Sequence, residues 1–267
     1  MSSSPARLAY GPGASQFAEL SLPPGHDRCG VVVVVHGGFW RAGYDLDLGR
    51  PLAADLVGAG VAVWNVEYRR VGGGVLHRQA GGGGWPTTCA DVAAAVDALA
   101  GAGQDAAWGR LDLDRVVALG HSAGGHLAGW LAARSGVPSG APGADPVVRV
   151  GGVVSQAGVL DLVDAARLGL GGGATQALMG GEPGDLPDAY ALASPIARVP
   201  LGVPVVCVHG TADLTVPISQ SERFVAAATR AGDTAMLHPF DGDHRDLIDV
   251  GSEAWRTCRA ETLRLLG

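Results

Sequence analysis

Ala118-Leu119-Gly120-His121-Ser122-Ala123-Gly124-Gly125-His126 is the stretch whose reading decides the fold. Arg115 to Leu119 is a short β-branched run and reads as a strand. Ala123 to Arg134 carries Leu127, Trp130, Leu131 and Arg134 at helical spacing. Between them, Gly120-His121-Ser122-Ala123-Gly124 matches G-x-S-x-G, in which a serine stands on a strained strand-to-helix turn with its hydroxyl exposed. Gly120 and Gly124 flank the serine where a side chain would collide with a neighbouring strand or helix, and Gly125 and Gly129 let the helix approach the sheet. The helix N-terminus turns backbone N–H groups and a partial positive charge toward the serine. The pattern is short and the chain holds 43 glycines, so a chance match is the competing reading. The strand before it and the helix after it are the context that argues for a nucleophile.

Upstream, Gly30 to Val35 contains five consecutive valines, hydrophobic on both faces. Such a run suits a central strand of a parallel sheet, covered on both sides. It ends in His36-Gly37-Gly38-Phe39-Trp40, too glycine-rich to begin a helix. A tight turn with aromatic packing is one reading. The other is an oxyanion hole, whose bare backbone N–H groups point at a developing negative charge. The position after a buried strand and far upstream of Ser122 favours the second.

The remaining elements alternate. Strands are expected at Val61–Val66, Val147–Ser155, Pro204–Val208 and Thr234–Pro239, and helices at Leu48–Ala59, Ser219–Ala231 and Ser252–Leu266. Thr88-x-x-Asp91 and Ser219-x-x-Glu222 read as capping boxes, the first opening a helix with Val92, Val96 and Leu99 on one face. Residues 1–29 carry no strong element. Gly72 to Gly84 is an irregular glycine-rich loop without the Gly-Lys-Ser/Thr ending of a phosphate cradle. Gln156 to Ile196 reads as irregular, with room for short helices forming a small lid. The order predicts an α/β protein: one domain over 1–267, a mainly parallel central sheet with helices on both faces, and no large cap domain.

Composition excludes several functions. Lys and Arg number 19 against 26 Asp and Glu, a net charge of −7, with no basic run, so nucleic acid and anionic membranes are not expected partners. Cys29, Cys89, Cys207 and Cys258 are widely spaced and form no C-x-x-C, which suits free thiols in a reducing compartment. No apolar run approaches the ~18 residues of a membrane span. Met1 to Tyr10 has no apolar core of a signal peptide, so the expected location is the cytoplasm. The sequence allows a homodimer without setting the oligomeric state.

A serine hydroxyl near neutral pH needs a base, and histidine titrates in the right range. A buried acid must then fix its tautomer. In chains with this elbow the order is Ser, Asp/Glu, His. Asp213, directly after a strand in His209-Gly210-Thr211-Ala212-Asp213, fits the acid, and His244, in the loop after the last strand, fits the base. A turn aspartate and a surface histidine are the plain alternatives. Among the other histidines, His121 should point away from Ser122, and His126 packs one turn into the helix. His209 and His238 read as core histidines on strands, and His36 as an organiser of its loop. No pair has zinc-ligand context, so no metal site is expected.

The motifs His36–Trp40, Gly120–His126 and His209–Asp213, with Asp243-His244, together resemble the α/β-hydrolase superfamily, and most closely its small esterases and kynurenine formamidases (arylformamidases). His-Gly-Gly-Phe-Trp is similar to the formamidase loop, and Tyr68-Arg69 and Trp85-Pro86 match further segments. The glycine insert between those two segments departs from the usual spacing and leaves that pocket wall undefined. The resemblance implies Ser122 as nucleophile, Asp213 as acid and His244 as base. It implies oxyanion donors at Ala123, Gly38 and Phe39, and no cofactor. Phe39, Trp40 and His121 are expected at the substrate, a small ester or aryl formamide. A general short-chain carboxylesterase and a lipase- or peptidase-like hydrolase are the rival enzymes. A non-catalytic binding protein of the same fold is disfavoured because the serine, acid and histidine are all present.

Overall fold

The computed structural model describes residues 4–72 and 81–267. Eight strands form one sheet: β1 (Ala6–Ala9), β2 (Phe17–Ser21), β3 (Cys29–Val35), β4 (Ala62–Val66), β5 (Leu111–His121), β6 (Gly152–Gln156), β7 (Val205–Gly210) and β8 (Ala235–Phe240). Their order is β1-β2-β4-β3-β5-β6-β7-β8, with β1 and β2 antiparallel at one edge and the rest parallel. The segment 1–29 is thus not featureless: Phe17–Ser21 extends the sheet by pairing with β4. Short strands of mixed composition at an edge carry little periodic signal, which is why the sequence hides them.

The valine run explains the layering. In a strand successive side chains face opposite sides. Val31, Val33 and Val35 enter one core with Val92, Val96, Leu127 and Phe224. Val32 and Val34 enter the other with Leu52, Leu56, Trp255 and Cys258. All five valines are at most 2% exposed, as a strand sandwiched between two helical layers must be. One layer contains α2 (Thr87–Asp97), α4 (Ala123–Ala133) and α8 (Ser219–Arg230), and the other α1 (Arg50–Gly58) and α9 (Glu253–Leu266). The small α3 (Ala102–Ala106) leads into β5. Among the described residues, no helix is long and apolar enough to cross a membrane.

Several local expectations need correction. Neither capping box forms. α2 begins after Pro86 without a side-chain cap, Thr88 Oγ1 donates to Arg69 O, and Asp91 takes a bidentate hydrogen bond from Arg69 at 2.8 and 2.6 Å. α8 follows Ile218, again with no side-chain cap. For Thr88 and Asp91, tertiary partners outcompeted the local turn. β6 starts at Gly152, because Asp97 Oδ1 instead holds the N–H groups of Val147 and Val148 at 3.0 and 3.1 Å. His238 is not a core histidine; it sits half-exposed on the edge strand β8, 3.5 Å from Glu261. The irregular loop expected over Gly72 to Gly84 lies mostly at 73–80, outside the described residues.

The segment 156–196 is mostly helical, with α5 (Leu162–Arg167), α6 (Leu170–Met179) and α7 (Pro187–Ala193). It docks on α4 through His126 Nε2 to Ala193 O and Trp130 Nε1 to Leu192 O, and on α8 through Arg223 to Asp161. Glycine and alanine dilute its periodicity, so the sequence reads as irregular. It meets the glycine loop where Gly171 packs on the Phe39 ring and its carbonyl accepts from Arg41.

Candidate active site

Ser122 sits between β5 and α4 with φ 57 and ψ −119, a strained conformation for a residue with a side chain. The turn is held by Ser122 N donating to Gln156 O at 2.8 Å. Its tightness is steric. A Cβ on Gly120 would lie 2.0 Å from Gly124 O, and one on Gly124 would lie 2.0 Å from Val35 O. Only glycine admits those backbone contacts.

The loop 36–40 lies against this elbow. A Cβ on Gly37 would approach the Ser122 Cβ to 3.1 Å. Gly38 has φ 110, and Phe39 and Trp40 follow at φ 52 and 55. Two consecutive bulky residues in the left-handed region are costly, about 1–3 kcal/mol each, and such strain clusters at functional sites. The N–H groups of Gly38, Phe39 and Ala123 have no hydrogen-bond partner among the described residues. Glu67 secures the loop from below: His36 Nε2 at 3.2 Å, Leu46 N at 3.1 Å and Tyr68 N at 2.9 Å converge on its carboxylate. Burial opposes the Glu67 charge, and the contacts from His36 and Arg70 outweigh it and lower its pKa. His36 is therefore the loop organiser that its position suggests.

His244 follows β8 and Asp213 follows β7, so two neighbouring parallel strands deliver both groups to the same sheet end as Ser122. His244 Nδ1 donates to Asp213 Oδ2 at 2.6 Å, which leaves Nε2 as the basic nitrogen. Asp213 Oδ1 accepts from Thr215 N at 2.8 Å and Val216 N at 2.9 Å. Burial raises the Asp213 pKa, but hydrogen bonds from His209, His244 and Val216 N prevail and hold it well below the usual carboxylate range. Ser122 and His244 line one cleft of about 410 Å³, and no hydrogen bond joins them in this structure.

Gly38, Phe39 and His121 also line the cleft; Trp40 does not. Trp40 is buried at 1% exposure, its indole N–H donating to His126 Nδ1 at 3.2 Å. The expectation that Trp40 meets substrate is thus corrected: the left-handed turn at 39–40 sends its ring into the core. His121 turns toward the His244 loop, donating Nε2–H to His244 O at 2.9 Å, its ring 4.4 Å from that of His244. Burial, with the nearby His244, pushes the His121 pKa down to about 3, so it stays neutral. Sequence reasoning missed five residues of the wall, Arg245 of the His244 loop among them. Tyr44, Leu48 and Ile248 reach it only through the fold, whereas Thr215 could have been suspected from lying two residues beyond Asp213.

A family match covers residues 19–227. The chain belongs to the BD-FAE family. No curated protein matches its sequence. Solved structures extend the comparison. A bifunctional GH43-CE protein of Bacteroides eggerthii superposes with a TM-score of 0.78 at 25% identity. That alignment covers 100% of this chain and 36% of the other, so this chain spans about a third of that protein's length. A propionate-bound thermophilic esterase of the Planctomycetes species Thermogutta terrifontis gives 0.73 at 25% identity, covering 98% of this chain and 93% of that one. A truncated carbohydrate esterase from gut microbiota gives 0.80 at 21% identity, covering 99% and 97%. The fold of this BD-FAE member is accordingly the α/β-hydrolase fold.

Proposed function

We propose that the chain is a serine carboxylesterase that cleaves small esters through an acyl-enzyme. The observation that carries the reading is the 2.6 Å hydrogen bond from His244 Nδ1 to the buried Asp213, in the cleft that also holds the strained Ser122. BD-FAE membership and esterase neighbours support the same class.

In this mechanism Ser122 Oγ attacks the ester carbonyl while His244 Nε2 takes its proton. The N–H groups of Ala123, Gly38 and Phe39 receive the oxyanion; a single such donor is typically worth about 10²–10³ in rate. His244 returns the proton to the leaving oxygen. It then deprotonates water, which attacks the acyl-enzyme and frees Ser122. Asp213 stabilises the imidazolium at both stages.

A second reading is aryl formamide hydrolysis, since formyl is the smallest acyl group and the same steps release an aryl amine. Phe39 on the cleft wall supports it, together with the similarity of residues 36–40 to the formamidase loop. The four free, buried cysteines suit a reducing compartment such as the cytoplasm.

The test has two parts. A fluorophosphonate should label the wild type and not Ser122→Ala, with both giving the same circular dichroism spectrum. Retained labelling of the variant would place the nucleophile elsewhere. Comparing kcat/KM for short and long p-nitrophenyl esters with N-formylkynurenine then separates the substrates. Good turnover of formylkynurenine supports the formamidase reading, short esters alone the esterase, and a preference for long chains contradicts both.

A further inference from the structure

We infer that Arg245 forms an anion subsite in the cleft and that the preferred substrates are esters bearing a carboxylate remote from the scissile bond. The inference rests on the esterase reading and narrows its substrate class.

The first observation is the charge of the wall. Phe39, Tyr44, Leu48 and Ile248 make it largely apolar, and Arg245 is its one permanently charged side chain among the described residues. No Asp or Glu lines it. In a chain with 26 acidic and 19 basic residues, a cleft whose fixed charge is positive runs against the overall balance. Such a site concentrates anions over neutral molecules.

The second observation is that Arg245 has no counter-ion. Arg50, Arg69, Arg134 and Arg223 each pair with a carboxylate at 2.6 or 2.7 Å. Arg245 makes no side-chain hydrogen bond or ion pair among the described residues, and residues 1–3 and 73–80 contain no acid that could supply one. Arg149, Arg167 and Arg230 are also exposed without an ion pair, but none of them lines the cleft.

The third observation concerns the acids that flank Arg245 in sequence. Asp243 Oδ1 accepts from the backbone N–H of Arg245 at 2.7 Å, and Asp246 Oδ2 accepts from Asp243 N at 2.8 Å. Ile248 N closes the turn on Arg245 O at 3.0 Å. These bonds fix the Arg245 backbone while leaving its guanidinium free. The adjacent carboxylates are committed to the loop rather than to the arginine. A guanidinium carried on a fixed backbone, on the wall of the cleft that holds Ser122, suits bidentate capture of a carboxylate.

The experiment uses two matched ester pairs. On the acyl side, p-nitrophenyl hydrogen glutarate is compared with p-nitrophenyl pentanoate. On the leaving-group side, 4-acetoxybenzoate is compared with its methyl ester. Wild type, Arg245→Gln and Arg245→Lys are assayed at low salt and in 1 M NaCl. The expected result is a preference for the anionic ester in one pair, revealing which side of the ester the subsite reads. In Arg245→Gln the anionic-to-neutral ratio of kcat/KM falls about tenfold, mainly through KM. Arg245→Lys keeps part of the preference, and salt erodes it by screening an exposed charge. The subsite is overturned if the wild type prefers the neutral ester in both pairs, or if Arg245→Gln leaves both ratios unmoved. Either result, with neutral esters still hydrolysed, leaves the esterase reading intact. If no ester is hydrolysed and no fluorophosphonate label is taken, the esterase reading falls and the subsite falls with it.

Discussion

His209 Nε2 lies 3.4 Å from Asp213 Oδ2, the same oxygen that accepts the 2.6 Å hydrogen bond from His244 Nδ1. His209 Nε2 also faces Val216 O at 2.9 Å, a pure acceptor, so that nitrogen carries a proton. Ser221 Oγ, 2.7 Å from Nδ1, holds the ring from its other side. His121 from β5 also feels His244, Asp213 and His209. The carboxylate of the proposed acid therefore divides its charge between two histidines.

Removing the second histidine should concentrate that charge on the base. His209→Leu is expected to favour the imidazolium and move the acid limb of the kcat/KM–pH profile upward by about 0.5–1 unit. His209→Gln, which keeps an N–H at a similar reach, should move it back. A limb that stays in place in the leucine variant, with only stability lowered, would reduce His209 to a packing residue.

The acids near His244 should separate sharply. Asp213→Asn is expected to lower kcat by up to about 10⁴, through loss of the correct histidine tautomer. Asp243→Asn and Asp246→Asn should cost less than about tenfold, because those carboxylates hold backbone N–H groups of their own loop. A loss at Asp243 as deep as that at Asp213 would show that the acid has been misassigned.

Two glycine substitutions should fail differently. Gly124→Ala drives a Cβ to 2.0 Å from Val35 O, a backbone atom that cannot swing away. It should destabilise the protein by about 3 kcal/mol or more in urea titration. Gly38→Ala meets the Tyr44 side chain at 2.3 Å, and Tyr44 is half-exposed and can yield. Its damage should appear in kcat, because φ 110 at residue 38 aims the proposed oxyanion donors. Equal losses of stability would refute the distinction.

Acid should weaken the fold through a buried histidine. Burial pushes the His126 pKa down from 6.5 to about 4, while its Nδ1 accepts from Trp40 and cannot also hold a proton. The folded pKa lies below the unfolded one, so this contribution is complete above about pH 6.5. It is lost as pH falls toward 4, when the unfolded chain binds the proton first. Each such histidine costs about 1.4 kcal/mol per pH unit in that window. His126→Gln should flatten the dependence of urea stability on pH between 6.5 and 4 by about that slope, and an unchanged slope would mean that His126 is already charged in the folded state.

Much of the fold was legible in the sequence because its signals are local. Five valines in a row require burial on both faces, and the alternation of apolar runs with helical spacing dictates a parallel sheet. The G-x-S-x-G glycines mark backbone contacts that exclude a Cβ, and Asp213 and His244 follow strands in the expected order. Edge strands β1 and β2 were hidden, and of α5 to α7 only room for short helices was legible, since short or glycine-rich elements owe their form to what they pack against rather than to their own pattern.

At the site, the sequence by itself determined which residue types stand at the strand ends, and so the chemistry available there. Only the tertiary structure decided which way they face. Trp40 left the cleft for His126, His121 turned toward the His244 loop, and His209 joined the Asp213 carboxylate. Arg245 remained without a counter-ion among the described residues, on the cleft wall. The reason is physical. A strand end fixes where a side chain starts, but its direction follows from φ at the following turn and from partners far away in sequence, and neither is encoded in local spacing.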